Sequence, residues 1–221
     1  ATIIRQLVPK RLYKKELNQL LQLGLPSSLQ MFLEVSFFTF AIWVCGFLSK
    51  DAQAANQIAL NLSSMTFMVA MGLSVAATIR VGNQKGFKAF GELKRIALSV
   101  FLLTLLLDVV FAGVFVACNE WLPWLYLDSA TGLDTFAVAE LAGSLLFIAA
   151  FFQIFDGAQV VALGSLRGLQ DVRIPTWITF LAYVLIGVPV MLYLSIEAAM
   201  GARGVWIGLC LGLVVLSLIH I

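Results

Sequence analysis

Long apolar runs separated by short polar segments dominate the chain. They cover Leu20–Leu48, Ile58–Val81, Ile96–Cys118, Val138–Leu163, Pro175–Leu194 and Val205–Ile221. Apolar residues fall on every face of each run instead of along one stripe, which suits a helix with lipid around it. A helix crosses a bilayer with about 20 apolar residues, whereas a barrel strand needs only about 9–11. Backbone groups in hydrocarbon must also satisfy their own hydrogen bonds, which leaves helices or closed barrels. The pattern therefore predicts an all-α membrane protein of six transmembrane helices, the last barely long enough. Leu12–Leu23 predicts an amphipathic helix along the membrane surface, ended by a break at Gly24-Leu25-Pro26.

Composition narrows the class. Of 221 residues, 61% are hydrophobic and 12% charged, against about 45–50% and about 25% in soluble domains. Such a chain cannot cover a core with polar surface, which excludes a soluble enzyme, a disordered chain and a nucleic-acid binder. Cys45, Cys118 and Cys210 lie in or at the ends of apolar runs without metal spacing, and read as small buried hydrophobes. No cleavable signal peptide opens the chain, and no repeat is evident. The sequence begins at Ala1 and stops inside its sixth apolar run, with His220 at that end; it reads as a fragment.

The net charge of +2 says little, but its placement says more. Arg5, Lys10, Arg11, Lys14 and Lys15 precede the first span. Arg80, Lys85, Lys88, Lys94 and Arg95 lie between the second and third, and Arg167 and Arg173 between the fourth and fifth. Only Lys50 and Arg203 fall on the other side. The positive-inside rule predicts that the basic loops are cytoplasmic. The Glu120–Ala137 segment has Asp128 and Asp134 but no Lys or Arg, and is predicted to face outward.

Three ionisable residues stand deep inside spans: Glu34, Asp108 and Asp156. Each costs about 2.5–3.5 kcal/mol on insertion scales and is a functional candidate by default. No Lys, Arg or His is predicted deep enough to pair with them, so each holds a proton or binds a cation. Glu34 belongs to a helical stripe of Ser27, Gln30, Glu34, Phe38 and Ala41, which should face the bundle or a cavity. Asp156 has Gln153 and Gln159 a turn away on either side, Phe152 four residues before it and Gly157 beside it. For both acids the structural alternative is an interhelical hydrogen bond. For Asp108, bordered by leucines and valines with only Thr104 nearby, that alternative is the stronger reading. A second stripe, Gln57, Asn61, Ser64, Met68, Met71 and Val75, is polar at one end and Met-rich deeper in. It suits a pocket for varied apolar shapes, or else ordinary helix packing.

Several segments resemble MATE (multidrug and toxic compound extrusion) transporters, in the NorM-like branch. Gly24-Leu25-Pro26-Ser27-Ser28-Leu29-Gln30-Met31-Phe32-Leu33-Glu34 resembles the start of their seventh helix. Ala54-Ala55-Asn56-Gln57-Ile58-Ala59-Leu60-Asn61 and Ala76-Ala77-Thr78-Ile79-Arg80-Val81-Gly82 resemble the eighth. Phe155-Asp156-Gly157-Ala158-Gln159-Val160-Val161, with Gly164-Ser165-Leu166-Arg167-Gly168-Leu169-Gln170-Asp171 after it, resembles the tenth and its cytoplasmic exit. Asn56 replaces the family's His, and Phe67 and Phe152 stand where some members carry Tyr.

The resemblance implies residues 20–221 as the C-terminal six-helix lobe of a 12-helix transporter, with 1–19 as the inter-lobe linker and the N-terminal lobe missing. It implies a bacterial inner-membrane antiporter that exports drugs and organic cations in exchange for Na⁺ or H⁺, with no other cofactor and no nucleic-acid partner. Glu34 and Asp156 would form the cation-coupling site and would ligate Na⁺ if sodium is the coupling ion. Candidates for the substrate cavity are Gln30, Asn61, Ser64, Met68, Phe152 and Gln153; Asp108 has no motif to carry it over. The alternatives are a lipid-linked oligosaccharide flippase of the same superfamily, which should show deep Arg and Lys, and an intramembrane aspartyl protease using Asp108 and Asp156.

Overall fold

The computed structural model describes residues 13–127 and 134–220. Six helical rods account for nearly all of them, and no strand occurs among the described residues. We number them α1 (Lys14–Leu48), α2 (Lys50–Gly86), α3 (Phe90–Ala117), α4 (Thr135–Gly168), α5 (Arg173–Glu197) and α6 (Ala202–His220). The first five are long and apolar enough to cross a membrane. The sixth is not established as a span: its 19 residues rise about 28 Å at about 1.5 Å each, just short of a hydrocarbon core of about 30 Å. Large side chains including Phe32, Leu106 and Trp177 point outward and stay exposed, so the outer surface is apolar as well as the interior. That arrangement suits lipid and not water.

The predicted break at Gly24-Leu25-Pro26 does not occur. From Lys14 onward the expected surface helix and the first span are one rod, and Pro26 lies inside it; Leu12 falls outside the described residues. Proline removes one N–H from the ladder, but neighbouring side chains in a bundle can re-satisfy the carbonyls around it. Ser27 Oγ donates to the Leu23 carbonyl at 2.9 Å, and Thr176 Oγ1 on α5 donates to the Pro26 carbonyl at 3.0 Å.

Helix α4 is the axle of the bundle, packed against α2, α3 and α6. It approaches α2 closely because small residues leave room there. A Cβ on Gly168 would lie 2.7 Å from the Thr78 carbonyl oxygen. Two hydroxyls cross the seam: Ser74 Oγ donates to the Val160 carbonyl at 2.6 Å and Thr78 Oγ1 to that of Gly164 at 2.7 Å. The main core gathers Phe37, Phe152, Tyr183 and Trp206 from α1, α4, α5 and α6. Phe152 meets Trp206 edge-on at 5.5 Å, and Phe37 stacks on Tyr183 at 4.6 Å.

Helix α5 is α-helical at Arg173–Phe180 and Val188–Leu192, and widens to π-helix at Leu181–Gly187 and Tyr193–Glu197. The widened turns flank Pro189, whose missing N–H cannot close a normal turn. Cys45 is buried as predicted, but Cys118 and Cys210 are only partly so. Asn56 is fully buried and accepts from Trp206 Nε1 at 2.9 Å, a bond that ties α2 to α6.

Candidate functional site

A cleft of about 380 Å³ opens between α1, α2 and α4. Glu34 enters from α1 and Asp156 from α4. Asn61, Ser64 and Met68 line it from α2 and Phe152 from α4, joined by Phe67, Gln57 and Met71. The helix periods explain the meeting. The stripe from Ser27 to Ala41 is the inward face of α1, with every member buried or half-buried. On α2, by contrast, Gln57, Asn61, Ser64, Met68 and Val75 are exposed and Met71 half-buried. That face is not packed within the chain, so ordinary packing between these helices does not account for it. The α2 wall of the cleft is therefore amide and hydroxyl at one end and thioether and aromatic at the other. Flexible thioethers and ring faces suit an apolar cation of variable shape.

Two of the predicted lining residues are elsewhere. Gln30 is buried below the cleft, where its Nε2 donates to Thr179 Oγ1 on α5 at 3.1 Å. The stripe of α1 is thus partly consumed by packing against α5, which no pattern within α1 reveals. Gln153 is also buried outside the cleft lining, with neither amide atom hydrogen-bonded.

Asp156 is buried with Oδ1 unpaired, and it feels the charges of both Glu34 and Asp108. Asp108, on α3, is buried with Oδ2 unpaired. Its carboxylate fills the notch left by Gly157, where any Cβ would collide with it. It sits behind the cleft, not in its lining. The interhelical hydrogen bond that was the stronger reading of Asp108 is absent at Oδ2. The three acids therefore come from three different helices. Among the described residues, no three His, Cys, Asp or Glu side chains are grouped to hold a metal ion. Na⁺ at Glu34 and Asp156 would therefore need further oxygens, and Asn61, Ser63 and Ser64 on the same cleft carry them.

Two residues escaped the sequence reading. Tyr183, on the widened stretch of α5, is buried within electrostatic reach of Glu34 and Asp156 and exchanges hydrogen bonds with Gln159 at 3.1 and 3.2 Å. Arg167 is the other, although among the described residues it closes no ion pair with the three acids. Its guanidinium turns inward from the end of α4, donates from Nη2 to Gln30 Oε1 at 3.2 Å, and acts electrostatically on Glu34. A loop-end position hid this reach, because a long side chain can carry its charge well away from its own backbone.

The chain resembles known proteins in sequence and in fold. The MatE family model matches residues 26–192. A probable multidrug resistance protein NorM of Acinetobacter baylyi is 38% identical over 198 residues, covering 89% of this chain and 42% of that protein. The counterpart in Pseudomonas aeruginosa is 39% identical over 196 residues, covering 89% and 40%. The chain thus spans about two fifths of the length of these relatives. The eukaryotic MATE transporter AtDTX14 has the same fold, with a TM-score of 0.84 at 22% identity over 93% of this chain and 45% of that one. A MOP superfamily transporter from Pyrococcus furiosus superposes with a TM-score of 0.79 at 18% identity over 91% and 43%. An all-helical membrane bundle and a family model matched over most of its length lead to one conclusion: the chain belongs to the MATE family of transporters.

Proposed function

We propose that this chain is the C-terminal lobe of a cation-coupled antiporter that exports drugs and organic cations. Residues 20–221 would form the six-helix lobe, with α6 as its sixth span, and residues 1–19 the link to an N-terminal lobe. The protein would sit in the bacterial inner membrane with its basic loops in the cytoplasm. Membership of a transporter family, and not of an enzyme family, sets aside the protease reading of Asp108 and Asp156. The flippase alternative needs basic residues for a pyrophosphate, and the cleft lining contains no Lys or Arg.

One observation carries the reading: two carboxylates from different helices, Glu34 and Asp156, meet at an open, Met- and Phe-walled cleft. Helices that move relative to each other change the spacing and hydration of such a pair, and hence its affinity for H⁺ or Na⁺. A ligand shifts a conformational balance only by its difference in affinity between states. Rocking of this lobe against the other would then couple cation entry to drug exit. The test is cell-based ethidium efflux by the complete transporter to which this lobe belongs. Glu34→Gln and Asp156→Asn keep size and hydrogen bonding but lose the charge. Each should abolish cation-driven efflux at unchanged membrane levels; full efflux from both removes the coupling role.

A further inference from the structure

A second groove, of about 310 Å³, opens on the outer surface between the end of α2 and the start of α3. Arg80 lines it from α2, and Glu92, Arg95, Ile96, Ser99 and Val100 line it from α3. It shares no residue with the cleft of Glu34 and Asp156. The sequence sets its height in the membrane. Arg80 is the next-to-last residue of one apolar run, Ile58–Val81, and Arg95 directly precedes the next, Ile96–Cys118. Both guanidiniums therefore stand where hydrocarbon gives way to head groups. Arg95 Nη1 donates to Glu92 Oε1 at 3.1 Å, an exposed pair one turn apart. Arg80 is exposed, and among the described residues no hydrogen bond or ion pair engages its guanidinium. Lys85 and Arg167, at the same end of the bundle, are by contrast engaged with the Leu169 carbonyl and with Gln30.

Toward the middle of the membrane the groove runs on as an apolar track. Helical spacing back from Arg80 gives Ala76, Leu73 and Val69 on α2, and forward from Ser99 it gives Leu103, Leu106 and Val110 on α3. All of these are exposed except Leu73, which is half-buried. Leu73 and Val100 pack on the small core around Ala77 and Val161, so the base of the track is fixed. We propose that this groove binds an anionic glycerophospholipid from the leaflet at the basic end of the bundle. Its phosphate sits between Arg80 and Arg95, and one acyl chain lies along the track. Charge complementarity selects the head group: the guanidinium fork matches phosphate oxygens, and basic pockets between spanning helices suit anionic lipids. Glu92 is of like charge to the phosphate, but its pair with Arg95 is exposed and therefore weak. The phosphate takes the unengaged Arg80 outright and shares Arg95 with Glu92. A small soluble anion would use the two arginines and leave the track empty. The site stands apart from the coupling role proposed for Glu34 and Asp156 and does not depend on it.

Native mass spectrometry of the detergent-solubilised 221-residue chain tests this by lipid titration, without any transport assay. Phosphatidylglycerol is the probe, phosphatidylcholine with the same acyl chains is the zwitterionic control, and glycerol phosphate is the soluble anion. Phosphatidylglycerol should bind more tightly than phosphatidylcholine, and glycerol phosphate at the lipid's own concentration should not displace it. Arg80→Gln and Arg95→Gln should each weaken phosphatidylglycerol about fivefold, the worth of one basic residue near an anionic lipid, and leave phosphatidylcholine unchanged. Lys88→Gln with Lys94→Gln removes two charges that do not line the groove and should leave both lipids unchanged. If the arginine variants fail to insert, Ser99→Trp fills the groove with every charge kept and should weaken phosphatidylglycerol in the same direction. Unchanged phosphatidylglycerol binding in whichever of these three single variants inserts overturns the proposal, as does an equal loss in the double lysine variant. Displacement by glycerol phosphate as strong as by the intact lipid would mark a bare anion site and overturn it as well.

Discussion

Asp108 and Gly157 show how a single position fixes the local arrangement. The buried carboxylate lies where any side chain at 157 would have to go, and it faces an acid one residue along α4. Gly157→Ala should therefore overpack the α3–α4 seam, at about 1–3 kcal/mol, and lower the thermal unfolding midpoint in detergent. Asp108→Ala removes the obstructing atoms, so adding it to Gly157→Ala should restore much of the loss. Two additive destabilisations would contradict the contact. Asp108 was visible in the sequence as a deep charge, but its place was not. Gly157, whose notch it fills, sits 49 residues away on another helix, and no periodicity within α3 encodes that meeting.

At the scale of elements, hydrophobic runs located the helices but not their ends or their continuity. Pro26 was a reasonable stop signal by local rules. The helix nevertheless runs on through it, with Thr176, remote in sequence, bonding the Pro26 carbonyl from α5. The stripe on α1 was likewise legible as an inward face, while its division between the cleft (Glu34) and a packing relay (Gln30) depends on α4 and α5. Orientation is a property of the elements and rests on charge placement. A cysteine introduced in the Glu120–Ala137 segment should react with an impermeant thiol reagent added from the periplasm, and one at Lys85–Lys88 should not. Asp134 caps the start of α4 by accepting from the Ala137 N–H at 3.3 Å, so the substitution belongs before it. The reverse labelling pattern would invert the topology.

For the whole molecule, residues that share no local pattern build one cleft because the bundle sets the inward faces of α1 and α4 beside an exposed face of α2. Glu34 and Asp156 were singled out by depth and polarity, and Asn61, Ser64, Met68 and Phe152 by face; all six line the cleft. Arg167 and Tyr183 were missed because their relevance is purely tertiary. In the proposed function these two acids couple cation entry to drug exit. The most direct measurement uses proteoliposomes holding the complete transporter, with an imposed Na⁺ or pH gradient. Ethidium movement and the opposing ion flux are recorded together. Stoichiometric exchange is expected in one of the two gradients, with the ion flux lost in both Glu34→Gln and Asp156→Asn. Drug-linked ion flux that persists at the wild-type ratio in both variants would contradict it.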